Sequence, residues 1–273
     1  MRAWVNGEVL ADPEAPVLTV FDHGLTVGDG VFETIKVVDG RAFALTRHLR
    51  RLRRSADGLG LQIPDARTLE TAVEAVLRGQ DLPLGRVRIT VTGGVAPLGS
   101  DRGDAPPTVA VVGGPMAPRP TSTAIATVPW ARNDRGALSG LKTTSYAENV
   151  VALARAGEQG ASEAIFANTS GALCEGTGSN IFYVAEGELR TPALSTGCLA
   201  GITRELVLEW YGGVECAEPL EVLQRADEIF LVSTTRDVQP VHRCDETNLD
   251  APGPVTREVL AAWDKHAAAD IDP

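Results

Sequence analysis

Near-alternating polarity in Val31-Phe32-Glu33-Thr34-Ile35-Lys36-Val37-Val38 predicts a strand, and Asp39-Gly40 followed by Arg41-Ala42-Phe43-Ala44-Leu45 turns it into a hairpin. Trp4-Val5-Asn6-Gly7-Glu8-Val9 carries an earlier Asn-Gly hairpin signal. The spacing of Leu45, Leu49, Leu52, Ala56 and Leu59 then predicts a helix, capped by Thr46 and bearing Arg47, Arg50, Arg51, Arg53 and Arg54 on its other faces. Leu69, Val73, Val76 and Leu77 mark a second helix. Alternation in Arg86-Val87-Arg88-Ile89-Thr90-Val91-Thr92 gives another strand, a Gly/Pro/Asp loop runs through Gly103, and Val109 to Val112 form a further strand. Residues 1–114 thus read as a small α+β domain.

Three prolines within Pro115-Met116-Ala117-Pro118-Arg119-Pro120 favour an extended connector, so residues 115–123 read as a linker and 124–273 as a larger domain. In that domain Thr123 to Val128, Ala164 to Phe166, Ile181 to Val184 and Glu228 to Val232 are strand-like. Helices are expected from about Ser145 to Glu158, from Gly201 onward, and from about Pro254 to Lys265. The fold class is therefore α+β in two domains, without repeats or low-complexity tracts.

The chain has 273 residues, of which 44% are apolar, enough for two modest cores. It contains no run of 18 apolar residues and opens without an apolar signal region, so a cytoplasmic location and no membrane partner are expected. Cys174, Cys198, Cys216 and Cys244 form no Cys-x-x-Cys pair, which points to reduced thiols and, with histidines scattered singly, to no metal. A net charge of −11 argues against nucleic acid as a partner, because phosphate-backbone binding needs a positive face. An anionic small-molecule substrate would need cations gathered locally.

The residue types with the sharpest chemistry are Lys142 in Gly140-Leu141-Lys142-Thr143-Thr144-Ser145-Tyr146, and Glu175 in Leu173-Cys174-Glu175-Gly176-Thr177-Gly178-Ser179-Asn180. A lysine that forms a Schiff base and a carboxylate that pairs with a pyridine nitrogen are what pyridoxal phosphate chemistry requires of a protein. Strand-like flanks on both sides of the Glu175 loop would fix that carboxylate rigidly. An anion site for the cofactor's phosphate is offered by the helix opening at Gly201-Ile202-Thr203, by the hydroxyls of Ser233-Thr234-Thr235, and by Arg51.

These pieces stand in one order along almost the whole chain: Phe21-Asp22-His23-Gly24-Leu25-Thr26-Val27-Gly28-Asp29-Gly30-Val31-Phe32-Glu33-Thr34, then His48-Leu49-Arg50-Arg51-Leu52 with Ser55, Lys142 with Tyr146 and Asn149, Glu175 to Phe182, Gly201 to Arg204, and Ser233 to Val241. So arranged, the chain resembles the fold-type IV pyridoxal phosphate enzymes, the aminotransferase class IV family. The resemblance implies a homodimer of two-domain subunits like the D-amino acid aminotransferases. It also implies that Lys142 is the Schiff-base lysine and general base, that Glu175 pairs with the pyridine nitrogen, and that Tyr146 contacts the ring oxygen. Arg51, the backbone at Ile202 and Thr203, and Thr234 or Thr235 would hold the phosphate.

Within the family, branched-chain enzymes tend to carry Gly and Arg where this chain has Thr34 and Lys36. D-amino acid enzymes place a carboxylate-trapping arginine in a Thr-Arg-Gly stretch that is Thr92-Gly93-Gly94 here. Arg102, the sole cation between Ile89 and Pro118, is the expected substitute, and Thr34 and Arg102 are the expected substrate contacts. Lys-Thr-Thr-Ser-Tyr and Ser-Thr-Thr-Arg-Asp-Val-Gln-Pro-Val are similar to the lyase branch, which implies a 4-amino-4-deoxychorismate lyase making 4-aminobenzoate and pyruvate for folate synthesis. The alternatives are an aminotransferase acting on D-amino acids, branched-chain amino acids or R-amines, and a non-catalytic pyridoxal phosphate-binding paralogue.

Overall fold

Asn6 and Gly7, both at positive φ, turn the chain after Arg2–Val5 (β1) and send it back as Glu8–Val9 (β2). A single helical turn, His23–Thr26 (α1), precedes Gly30–Val38 (β3), which pairs briefly with Arg41–Ala42 (β4). Two helices follow, Leu45–Leu59 (α2) and Ala66–Leu77 (α3), and then two long strands, Leu84–Thr92 (β5) and Thr108–Pro115 (β6). These strands form one antiparallel sheet in the order β2-β1-β6-β5-β3-β4. The computed structural model describes residues 1–273 and divides into two units, the first being Met1–Pro118 with Leu141–Ser145 and Ile271–Pro273.

β3 and β5 pair over their full length, from Gly30 opposite Thr92 to Val38 opposite Leu84. The pleat sends Val31, Glu33, Ile35 and Val37 to one face, where Val31, Ile35 and Val37 join Val87, Ile89, Val91, Val109 and Val111 under Leu49, Leu52, Leu69, Val73 and Val76 of the helices. Phe32, Thr34 and Lys36 go to the other face, opposite Thr90, Arg88 and Arg86 of β5.

Thr46 does not cap α2. Ala44 occupies the cap position in a left-handed conformation with no side-chain bond, and Thr46 lies inside the first turn. Asp272 supplies the missing acceptor, taking hydrogen bonds from Thr46 N at 2.9 Å and Thr46 Oγ1 at 2.6 Å, while Ile271 O accepts from Ala44 N at 2.7 Å.

The second unit, Arg119–Gly140 with Tyr146–Asp270, is built on a nine-stranded mixed sheet. Its elements are Thr123–Arg132 (β7), Ala147–Glu158 (α4), Glu163–Asn168 (β8), Leu173–Gly176 (β9), Asn180–Ala185 (β10), Glu188–Pro192 (β11), Ile202–Trp210 (α5), Val214–Cys216 (β12), Glu228–Ser233 (β13), Asp237–Cys244 (β14), Thr247–Asn248 (β15) and Pro254–Ala269 (α6). The strand order is β12-β11-β10-β13-β14-β7-β8-β9, with β15 on β14. β10 and β13 are almost wholly buried runs, with Phe182 and Phe230 stacked 5.0 Å apart. α4 begins at Ala147, later than the sequence suggests, because Leu141–Ser145 is extended along β3 in the first unit. The four cysteines form no disulfide, and no helix is long and apolar enough to cross a membrane.

Asp272→Ala removes the only side-chain cap of α2 and is expected to cost about 1 kcal/mol, read as a lower midpoint in urea unfolding.

Candidate active site

Lys142 is held by backbone bonds on both sides. Its carbonyl accepts from Phe32 N at 3.1 Å, its own N–H donates to Ser55 Oγ at 3.1 Å, and Thr144 N donates to Gly30 O at 2.8 Å. The segment thus lies along β3, with Thr143 bridged to Val31. Gly58 makes room for it on α2, since a Cβ there would sit 2.8 Å from Leu141 Cδ2. The lysine side chain reaches the face of the sheet that the helices leave uncovered, its Nζ 4.3 Å from the centroid of the Phe32 ring. Arg88 places its guanidinium carbon 3.8 Å from the same centroid, with Nε donating to Thr90 Oγ1 at 3.2 Å. Two cations sharing one ring is an arrangement stabilised by the ring's quadrupole. The sequence reading gave Phe32 and Arg88 no role; the alternation of β3 and β5 put them on one face, but only the register put them opposite Thr90 and Thr34.

Arg51 lies not on a solvated helix face but in the core, 5% exposed, against a Glu33 side chain with no exposed surface. Arg51 Nε donates to Glu33 Oε1 and Nη2 to Oε2, each at 2.7 Å, and His48 Nδ1 lies 2.7 Å from Oε2. Burial alone would raise the pKa of Glu33; the charge and hydrogen bonds of Arg51, then the contact with His48, override it and hold the group down at about 2. Burial, assisted by Arg51 and Lys142 against the pull of Glu33, lowers His48, so a neutral ring donates from Nδ1 to the carboxylate. Glu33 therefore fixes the orientation of the arginine expected at the phosphate.

Arg102 is a clasp. Its Nε and Nη2 donate to the two oxygens of Asp29 at 2.7 Å each, while Nη1 and Nη2 donate to the carbonyls of Gly60 and Leu59 at the end of α2. His23 completes the group, 2.8 Å from Asp29 Oδ2 and 3.0 Å from Gly99 O, and the bond to Asp29 raises its pKa. A Cβ at Gly93 would lie 2.4 Å from Asp29 Oδ2, so this ion pair occupies the space that any side chain at position 93 would need. Thr34 stands on the same face as Phe32, opposite Arg88.

In the second unit Glu175, on β9, accepts from Leu199 N at 2.9 Å through Oε2 and lies 3.5 Å from Arg132 Nε through Oε1. Arg132 also pairs with Glu148 at 2.9 Å and stacks over Phe166. Sequence reasoning missed Arg132, since nothing in a strand-end arginine announces its partner. The same loop fixes the helix that follows: Asn180 Nδ2 donates to Leu199 O at 2.9 Å, and a Cβ at Gly201 would fall 1.9 Å from Asn180 Oδ1. No side chain caps α5, and Ile202 and Thr203 are buried in its first turn, where backbone N–H groups suit a phosphate. Thr234 and Thr235 lie in the turn between β13 and β14, and Tyr146 immediately precedes α4. Carboxylate, glycine-lined helix start and hydroxyl turn are a donor set that fits pyridoxal phosphate. The first unit thus holds Arg51, Lys142, Thr34 and Arg102, and the second Tyr146, Glu175, Ile202, Thr203, Thr234 and Thr235.

Glu33→Gln leaves a buried guanidinium without its counter-charge and is expected to destabilise the protein by about 3–5 kcal/mol in urea unfolding at neutral pH. Because the folded pKa lies below the ordinary value of 4.5, the stability Glu33 contributes is complete above that pH and drains away as pH falls toward about 2. The variant is expected to lose that part of the pH dependence.

Residues 30–244 match the model of the family described as amino-transferase class IV. The chain is 37% identical over 257 residues to a putative branched-chain-amino-acid aminotransferase of Methanocaldococcus jannaschii, covering 90% of this chain and 88% of the relative. It is 29% identical to a D-alanine aminotransferase of Staphylococcus haemolyticus, with 97% of each covered, and 30% identical to an aminodeoxychorismate lyase of Bacillus subtilis, with 90% and 87% covered. The structure is similar to a branched-chain aminotransferase from Thermoproteus uzoniensis solved with norvaline, at a TM-score of 0.90 and 31% identity over 97% of this chain and 94% of that one. A hypothetical aminotransferase from Mycobacterium tuberculosis, similar at a TM-score of 0.87 and 27% identity over 99% of this chain and 100% of that one, is known in a pyridoxal phosphate-bound form. The lyase expected from sequence is thus one of several activities among the relatives, most of them named for transamination. With the family match over most of its length, a relative 37% identical and the shared fold, the chain belongs to the class IV aminotransferase family, a family of pyridoxal phosphate enzymes.

Proposed function

We propose that the protein is an aminotransferase for amino acids and their keto acids, with the substrate carboxylate held by Arg88. The observation that carries this is the pair of cations over Phe32: the two distances, 4.3 and 3.8 Å, bound the separation of Lys142 Nζ and the Arg88 guanidinium to their sum at most. An amino acid carries its amino group and its carboxylate on one carbon, so a lysine that serves that carbon calls for a cation nearby to hold the carboxylate. Lys36 and Arg86 add positive charge to the same face, in a chain whose net charge is −11. Arg102 is engaged by Asp29 and serves the loop; Thr34, opposite Arg88, is the neutral contact beside the carboxylate site.

Bound pyridoxal phosphate supplies an electron sink for the substrate carbon that bears nitrogen. Lys142 would anchor it and would serve as the group that moves the proton at that carbon. Glu175 would pair with the pyridine nitrogen, Arg51, Thr203, Thr234 and Thr235 with the amide of Ile202 would hold the phosphate, and Tyr146 would contact the ring oxygen. Support for transfer over elimination comes from the relatives named as aminotransferases and from the likeness to the norvaline-bound structure. Apolar side chains that stand exposed on adjoining segments, Val20 at 71% and Leu98 at 75% with Phe21 and Leu25, support a homodimer, which sedimentation tests.

Purified protein given L-leucine or D-alanine with 2-oxoglutarate is expected to form the keto acid of the donor. Release of 4-aminobenzoate from aminodeoxychorismate, with no transfer from either amino acid, would establish the lyase instead.

Lys142→Ala is expected to lose the visible absorption that borohydride abolishes in the wild type, and to lower turnover by about 10²–10⁴-fold. Arg88→Gln is expected to raise the Michaelis constant for amino acid donors about tenfold or more, the scale of one hydrogen bond to a charged group, without changing the cofactor's dissociation constant. An amine donor lacking a carboxylate is the control that this variant leaves unaffected.

A further inference from the structure

We propose that Glu163 is a positioning residue that sets two parts of the cofactor site together, the loop carrying Glu175 and the turn carrying Thr234 and Thr235. The proposal rests on the functional reading above.

Glu163 opens β8 and is 2% exposed, followed by Ala164, Ile165, Phe166 and Ala167 before the strand ends at Asn168. Packing alone would be served by an apolar side chain there, because a buried carboxylate is costly unless donors converge on it. They do, from two directions. Thr177 donates to Oε1 from both its N–H, at 3.0 Å, and its hydroxyl, and Ser179 Oγ donates to Oε2 at 2.8 Å. Thr177 and Ser179 are the residues that carry the chain from Glu175 to β10. The glycine between Glu175 and Thr177 fits the same arrangement, since a Cβ at Gly176 would lie 3.0 Å from Glu163 Cδ.

From the other direction comes Arg236, whose Nη2 is 3.6 Å from Glu163 Oε2 and donates to Ser162 O at 3.0 Å. Its backbone N–H closes the turn onto Ser233, at 3.1 Å from the carbonyl and 3.2 Å from Oγ, and its Nη1 bonds Gln239 across the turn. Thr234 and Thr235 lie inside that closed turn. One buried carboxylate therefore connects the residue assigned to the pyridine nitrogen with the hydroxyls assigned to the phosphate.

Glu163→Gln keeps the shape and separates the two directions. The amide oxygen can still accept from Thr177, which leaves the amide N–H groups toward Arg236, donor against donor. The turn loses its tie while the loop keeps most of its own. Titration of the apo protein with pyridoxal phosphate, followed by tryptophan fluorescence, is expected to show a dissociation constant about tenfold higher than wild type, the scale of one charge-assisted contact. Pyridoxal, which lacks the phosphate, is expected to bind the variant nearly as it binds wild type, and Arg236→Gln is expected to reproduce this selectivity. A general loosening of the fold would weaken both ligands alike.

Wild-type binding of pyridoxal phosphate with an unchanged constant in Glu163→Gln, or equal weakening of pyridoxal, overturns the proposal alone. Failure of the wild type to bind pyridoxal phosphate overturns the functional reading and the proposal with it. If Glu163→Gln does not fold, Ser179→Ala and Arg236→Gln decide: a shared carboxylate makes their effects on cofactor affinity non-additive in the double variant, and additive effects overturn the proposal.

Discussion

A carboxylate with no exposed surface persists in a core only if charge meets it there, and the meeting of Glu33 with Arg51 and His48 is what the first unit's site is hung on. Glu33 belongs to β3 and its partners to α2, so the pair fixes how the helix sits on the sheet. Ser55, one turn further along α2, then meets the backbone of Lys142, whose carbonyl is bound by the residue before Glu33. Strand, helix and lysine segment are registered by three adjacent polar contacts within an otherwise apolar layer.

The second unit repeats the device. Glu163 gathers Thr177, Ser179 and Arg236, and Glu228 accepts from Val255 N and Thr256 N at 2.9 and 2.8 Å, capping α6 where Gly253 offers no side chain of its own. In each case a buried acid supplies the acceptors that loops and helix starts lack. Glycines mark the places where such acids lie closest to the backbone, as at Gly176 and Gly253.

Charge is distributed with the same economy. The chain as a whole is strongly acidic, yet Lys36, Arg86, Arg88 and Lys142 share the face of the six-stranded sheet opposite its helices. A local positive field in a negative molecule selects small anions over extended polyanions, in keeping with the amino and keto acids proposed as substrates.

The sequence by itself determined most of the elements and the cofactor class. Its periodicities placed β3, β5, β13 and the helical stripes, and Lys142, Glu175 and Gly201-Ile202-Thr203, each ordinary alone, pointed to pyridoxal phosphate through the order in which they stand along the chain. What it left undecided depends on register and on contacts far apart in the chain. A helix with arginines all round gives no sign that Arg51 alone turns inward, since that depends on Glu33, 18 residues away on a neighbouring strand. Thr46 read as a cap until Asp272, 226 residues away, took that place. Arg102 read as a substrate contact because nothing local shows that Asp29 holds it, and Arg88 read as one more strand residue because its position over Phe32 exists only once β3 and β5 are paired. Local pattern encodes what each segment can be; which cation meets which anion is fixed by the packing of segments, and that is a property of the tertiary structure alone.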